Sequence, residues 1–177
     1  LPRTASPSAA RDVDENAELL PTRIGRFLIR RRLGKGGFGV VYLAHDPGLD
    51  RLVALKVPRS ELLATGQERE NFLHEARTAA KLKHPALVTV YEVQQEGELI
   101  YIVQEYIEGQ DLSGWARANN PSPERIVSLI KEVVETVGFA HQHDLVHRDL
   151  KPANLLVDRQ GHPHVADFGL ALNESVQ

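Results

Sequence analysis

The run Gly34-Lys35-Gly36-Gly37-Phe38-Gly39 has the pattern GxGxxG. Alone it says little, because dinucleotide-binding folds and plain turns share it. The residues after it give it a type. A dinucleotide fold opens a helix at the last glycine, whereas Val40-Val41-Tyr42-Leu43-Ala44 reads as a strand leading into a turn. The glycines therefore belong at a β-hairpin tip, where missing side chains let backbone amides approach a triphosphate. A hairpin that is merely mobile is the competing reading. The next strand, Val53-Ala54-Leu55-Lys56, carries a lysine in an apolar run, facing either a cleft or solvent. Solvent is the commoner place for a lysine. Glu75, on the helical segment beyond it, supplies an anion able to hold the ammonium against phosphate oxygens.

Two further motifs decide the matter: His147-Arg148-Asp149-Leu150-Lys151-Pro152-Ala153-Asn154 and Asp167-Phe168-Gly169. With the glycine run, Val53 to Lys56 and the helix glutamate, in this order and at these separations, the sequence resembles the eukaryotic-type protein kinase family. The resemblance spans about Ile24 to Leu172, and Lys151-Pro152 is similar to the serine/threonine branch rather than the tyrosine branch. It implies an α+β, two-lobed fold: a five-stranded antiparallel sheet with one helix, then a mainly helical lobe cut off after Asp-Phe-Gly. It also implies transfer of the γ-phosphate of ATP, with Mg²⁺, to Ser or Thr hydroxyls of proteins.

The resemblance also implies a role for each matching residue. Asp149 matches the catalytic aspartate that orients the acceptor hydroxyl and takes its proton, and Lys151 meets the γ-phosphate from the same loop. Asn154 and Asp167 are oxygen ligands suited to Mg²⁺. Lys56, fixed by Glu75, takes the α- and β-phosphates beneath the loop Gly34 to Gly39, Lys35 and Phe38 included. The purine lies between Leu33, Val41 and Ala54 above and Leu156 below, beside a hinge from Glu105 to Ile107, with Asp111 near the ribose. Gln104 matches the gatekeeper and departs from the commoner Met, Leu or Thr. Arg148 stands where a phosphorylated activation loop is drawn onto an arginine; pairing with a nearby carboxylate is the plainer alternative.

Two other classes compete. A regulatory pseudokinase has usually lost Lys56, Asp149 or Asp167, and all three are present. An aminoglycoside-type phosphotransferase shares HxDxxxxN but is not expected to carry DLKPAN and DFG together. His141, His143 and His147 are read as a histidine-rich helix end with His147 packed beneath Phe168, rather than as a metal cluster. His162 and His164 are read as surface residues. Asp144 stands where a helix-ending glycine is common, and Asp tolerates the left-handed conformation there.

The elements that must position these groups come from pattern. Strands are expected at Phe27 to Leu33, Val40 to His45, Leu52 to Val57, Leu87 to Val93 and Leu99 to Gln104, with turns at Asp46-Pro47-Gly48 and Glu96-Gly97. A helix from Gln67 to Leu82 presents Phe72, Ala76 and Ala79 on one face. A longer one is capped by Ser122 with Pro123 first, carries Ile126, Ile130, Val133, Val137 and Ala140, and ends near Gln142 or His143. Short strands are expected at Leu145-Val146, Leu155 to Val157 and just before Asp167. The division is a flexible leader at residues 1–23, a nucleotide-binding lobe at 24–107 and the start of a catalytic lobe at 108–177.

Composition sets the outer bounds. The 177 residues are 42% hydrophobic and 25% charged with a formal charge of -3, a soluble globular composition with no electrostatic footprint for nucleic acid or anionic membrane. No cysteine is present, which excludes disulfides and thiolate chemistry and fits a cytoplasmic setting, while leaving a larger parent free to carry a membrane anchor elsewhere. With no methionine, Leu1 is not a retained start, and removal of something upstream is expected. The DFGLAL ending and compact leader suggest a bacterial member. The long helix is apolar over a broad face, so the chain by itself is expected to be aggregation-prone and weakly active or inactive.

Overall fold

The β-branched and aromatic runs pair into a six-stranded antiparallel sheet in the computed structural model, which describes residues 20–168. Most of the expected leader, and Gly169 with everything after it, lie outside the described residues. The strands are β1 (Arg23–Ile24), β2 (Phe27–Gly36), β3 (Gly39–Asp46), β4 (Arg51–Pro58), β5 (Val90–Glu96) and β6 (Leu99–Glu105), in the order β1-β2-β3-β4-β6-β5. The sixth strand, one more than expected, is β1, whose two residues fold back on Phe27 and Leu28. Gly25 makes that turn at φ 53°, and a Cβ there would stand 2.2 Å from the Tyr101 hydroxyl. Leu87 is not in a strand as expected. It makes an isolated parallel bridge to Val165, and β5 begins at Val90.

Helix α1 (Gly66–Ala79) crosses the sheet between β4 and β5. Thr65 caps it: its hydroxyl accepts from Glu68 N at 3.2 Å, while the Glu68 carboxylate accepts from Thr65 N at 2.8 Å. The face carrying Phe72, Leu73 and Ala76 is buried against Ile100 and Ile102 of β6. The helix ends at Ala79 rather than Leu82, with Leu82 N returning to the Ala79 carbonyl.

The second half contains β7 (Gly109–Asp111), α2 (Leu112–Asn119), α3 (Pro123–His141), a 3₁₀ turn over Pro152–Asn154, β8 (Leu155–Asp158) and β9 (Pro163–Val165). The three strands form a small antiparallel sheet in the order β7-β8-β9. Ser122 caps α3, accepting from Arg125 N at 3.3 Å, with Pro123 in the first position. Its buried row is Leu129, Val133, Thr136 and Ala140; Ile130, expected among them, is 39% exposed. Val133 and Ala140 join Ala79, Leu82, Leu87, Leu145, Leu155, Val165 and Phe168 in one cluster, so this core is shared by both halves. Leu145-Val146 is a loop, not a strand, entered through Asp144 at φ 58°. Among the described residues no helix is long and apolar enough to cross a membrane.

Candidate active site

Between the large sheet and the second half lies a cavity of about 330 Å³. Leu33, Gly34, Val41 and Ala54 of β2, β3 and β4 line one side, and Ala153, Leu156 and Ala166 line the other. Gln104, Glu105, Tyr106, Ile107 and Asp111 close the end where β6 gives way to β7. Asp111 does double service, since its carboxylate also accepts from Gly114 N at 2.8 Å and caps α2. Arg31 and Tyr106 meet at the mouth, with Arg31 Nη2 3.5 Å from the Tyr106 hydroxyl. Sequence reasoning misses Arg31, Gly109, Gln110, Ala153 and Ala166 as lining residues. An exposed arginine in a mixed strand carries no signal of a cavity position.

The glycine run is the β2–β3 hairpin tip, with Gly36 paired to Gly39. Gly39 has φ 147° and packs so closely on β4 that a Cβ would lie 2.0 Å from the Val57 carbonyl oxygen. At Gly34, Gly36 and Gly37 a Cβ would meet nothing within 4 Å, so their lack of side chains serves no contact inside the protein. Of this loop only Gly34 lines the cavity; Lys35, Gly36, Gly37, Phe38 and Gly39 do not. Phe38 instead covers Lys56, its ring centroid 5.7 Å from the ammonium.

Lys56 is buried at 4% exposure. Its expected partner is Glu75, and the structure corrects that pairing: Lys56 Nζ lies 2.8 Å from Asp167 Oδ1, in charge contact without the alignment of a directed hydrogen bond. Glu75 is ion-paired with the Arg148 guanidinium, and its other carboxylate oxygen is buried without a hydrogen-bond partner. The physical reason is one of supply. Arg148 offers a forked donor from the loop between α3 and β8, while Asp167 already occupies the lysine. Arg148 and Asp167 both sit at φ 63°, a left-handed backbone that costs a non-glycine residue about 1–3 kcal/mol and is tolerated at functional sites.

The loop between α3 and β8 gathers the remaining groups. Lys151 Nζ is 2.7 Å from Asp149 Oδ2. Asn154 Nδ2 donates to the Asp149 carbonyl at 2.8 Å and to Asp149 Oδ2 at 3.2 Å, which turns its own carbonyl oxygen away from that carboxylate. The Lys151 contact, opposed by burial, holds the Asp149 carboxyl below the usual aspartate range. His147 is the loop's pivot. Its Nε2 is 2.8 Å from the Ala166 carbonyl and must donate, leaving Nδ1 to accept from Asp149 N at 3.3 Å. Both ring nitrogens are satisfied in the neutral form, and burial lowers its pKa. The ring stands edge-on to Phe168 at 4.6 Å. His143 leaves this group altogether, lying on Phe139 at 4.5 Å. Among the described residues no three His, Cys, Asp or Glu side chains gather as a metal site. Asn154 and Asp167 are thus two oxygen donors rather than a closed protein cage.

Residues 27–176 match the protein kinase domain family. The chain is 40% identical over 148 residues to serine/threonine-protein kinase PrkC of Bacillus subtilis, covering 83% of this chain and 23% of that protein. It is 38% identical over 151 residues to PknB of Mycolicibacterium smegmatis, covering 82% and 24%. The chain therefore spans about a quarter of the length of these curated relatives. Among solved structures it superposes on the Mycobacterium tuberculosis PknI kinase domain with a TM-score of 0.75 at 29% identity, covering 86% of this chain and 64% of that one. A hairpin of glycines over a buried lysine, an aspartate tied to a lysine and an asparagine in one loop, and a match over most of the chain converge on one conclusion: the chain belongs to the protein kinase domain family.

Proposed function

We propose that this chain binds Mg²⁺·ATP in the cavity between its halves, and that the protein carrying it transfers the γ-phosphate to Ser or Thr hydroxyls of other proteins in the cytoplasm, where ATP is available. Residues 24–107 form the nucleotide-holding lobe, and residues from 108 onward begin the lobe that carries the catalytic loop. The observation that carries this reading is that Asp167 lines the cavity and is held by Lys56, while the loop whose Ala153 also lines it ties Asp149 to Lys151 and Asn154. Phosphoryl transfer asks little covalent help of a protein; it needs an aligned acceptor and neutralised phosphate charge.

The residues present fit both ligands. Leu33, Val41, Ala54 and Leu156 offer two apolar walls for a purine, and the backbone from Glu105 to Ile107 lies along its edge. The open space at Gly34, Gly36 and Gly37 suits phosphate oxygens approaching backbone amides. Asn154 and Asp167 would hold a hard divalent cation, which would supply positive charge against the phosphates. Lys56 takes the phosphates nearer the sugar, a role that requires it to leave Asp167. Lys151 meets the transferred group. Asp149, ionised at neutral pH, orients the acceptor hydroxyl and accepts its proton.

Arg148 belongs to this reading as a regulator. It holds Glu75 through an ion pair, and a phosphorylated residue on the segment after Asp167 competes for the same guanidinium. The test of function is transfer of ³²P from γ-labelled ATP, offering a protein acceptor and an aminoglycoside to the same preparation. Label on Ser or Thr of the protein is expected. Label on the aminoglycoside alone, or ATP binding with no transfer to either acceptor, would refute it.

A further inference from the structure

Strand β2 is open along most of one side. β1 pairs only with Phe27 and Leu28, and from Ile29 to Gly36 no strand among the described residues lies along the outer edge. An open edge is a template for another extended chain. This one carries Arg30, Arg31, Arg32 and Lys35, all exposed, with no anion between them. Charges on an edge commonly keep copies of a protein from pairing, and these would repel a second β2. The same charges select a partner, since they draw an extended segment rich in carboxylates. The run also borders the cavity, which Arg31, Leu33 and Gly34 help to line.

The chain itself holds such a segment. Asp12, Asp14, Glu15 and Glu18 place four carboxylates and no cation between residues 12 and 18, shortly before β1. The pairing that would seat them is begun in the structure, because Ile29 N donates to the Thr22 carbonyl at 3.1 Å, one step beyond the pair of Arg23 with Leu28. The next step back is Pro21, opposite Arg30, a place between hydrogen-bonded pairs where a missing N–H leaves no acceptor unmet. We propose that residues 12–18 continue this pairing as an acidic strap along the open edge of β2. Counted back from Thr22 opposite Ile29, Glu18 comes level with Leu33 and Glu15 with Gly36, to within the two bulges of β2. Their carboxylates then stand among Arg31, Arg32 and Lys35, beside the mouth of the cavity. Resting on the reading of that cavity as the nucleotide site, the strap competes with the triphosphate for the same positive charge and lowers nucleotide affinity.

The test compares the whole chain with a variant in which the four acids are neutralised together, Asp12→Asn, Asp14→Asn, Glu15→Gln and Glu18→Gln, which leaves every described side chain untouched. Amide hydrogen exchange over residues 30–36 reads the strap without nucleotide, and titration with Mg²⁺·ATP reads its effect on the cavity. The natural chain is expected to exchange there about tenfold more slowly than the variant, a difference that about 1 M NaCl removes by screening. The variant is expected to bind ATP about threefold to tenfold more tightly, the worth of a few exposed charge contacts. Equal exchange in the two chains overturns the strap. Protection that rises with protein concentration overturns it as well, because a second copy then covers the edge. Slower exchange in the natural chain with equal ATP affinity overturns the competition and leaves the docking. ATP binding by neither chain, with the exchange difference intact, overturns the nucleotide reading and leaves the docking in place.

Discussion

Asp149 and Asp167 answer to different partners, the first to Lys151 and Asn154, the second to Lys56. Asp149→Asn is expected to lower turnover by about 10²–10⁴-fold and leave ATP affinity nearly unchanged, because a proton acceptor does not hold the nucleotide. Asp167→Ala should weaken both Mg²⁺-dependent binding and turnover. Steady-state kinetics with direct nucleotide titration separates the two, and identical behaviour would contradict the assigned roles. His147 gives a pH prediction. Its folded pKa is lowered from 6.5 by burial, so below that value the unfolded chain binds a proton that the folded chain refuses. Its contribution to stability is therefore full above about pH 6.5 and is lost as pH falls below it. The depressed carboxylates Asp149, Asp46 and Asp158 lose theirs only below 3.8, so the two windows separate. Melting temperature should fall between pH 7 and 5 in the natural chain and fall less in His147→Gln; parallel curves would show that His147 does not set the slope. At this scale residue types and order are legible in the sequence, and partners are not. Glu75 sits on Arg148 because of where α1 lies relative to the catalytic loop, a distance that no spacing along the chain encodes.

Elements are legible where their own chemistry marks them. Ser122-Pro123 opens α3 and Glu96-Gly97 turns β5 into β6, each through a local preference that tertiary structure does not override. Where a segment draws its form from a neighbour, the pattern fails. β1 has two residues and exists only by pairing with β2, and Leu87 bridges Val165 rather than joining a strand. Helix α2 has eight residues and none fully buried, so its apolar face of Leu112, Trp115 and Ala116 is too brief to mark a helix; the clearer mark it carries, Asp111 as cap, doubles as the mark of a ligand group. Thr65 is a different case, since Thr65-Gly66-Gln67-Glu68 is a complete capping box, a signal present in the sequence that places the start of α1 one residue before the expected Gln67. Thr65→Ala is expected to cost about 0.5–2 kcal/mol in denaturant unfolding, with Thr65→Ser recovering most of it. Equal stability of both variants to the natural chain would show that α1 is held by its packing on β6 alone.

Over the whole molecule, burial is uneven. The shared cluster joins α1, α3, β8 and β9, yet the opposite side of α3 leaves Val127 at 67% and Val134 at 63% exposed, with Ile130 between them. Such a row favours self-association of this chain when studied alone. Val127→Glu, which gains an i,i+4 partner in Lys131, combined with Val134→Lys should reduce light scattering and shift the melting free energy by no more than about 1 kcal/mol. Unchanged scattering would assign aggregation to another surface.

The two ion pairs of the cleft have a consequence for how a nucleotide enters. Lys56 to Asp167 and Glu75 to Arg148 each join the sheet-bearing half to the catalytic-loop half, so together they act as a double clasp across the cleft. Under the proposed function, a triphosphate would take the place of Asp167 at Lys56, and that carboxylate would then be free to hold the accompanying cation. Entry is then a partner exchange rather than the filling of a vacancy. Either component by itself would strand one buried charge, so metal and triphosphate are expected to bind as a pair, each poorly without the other.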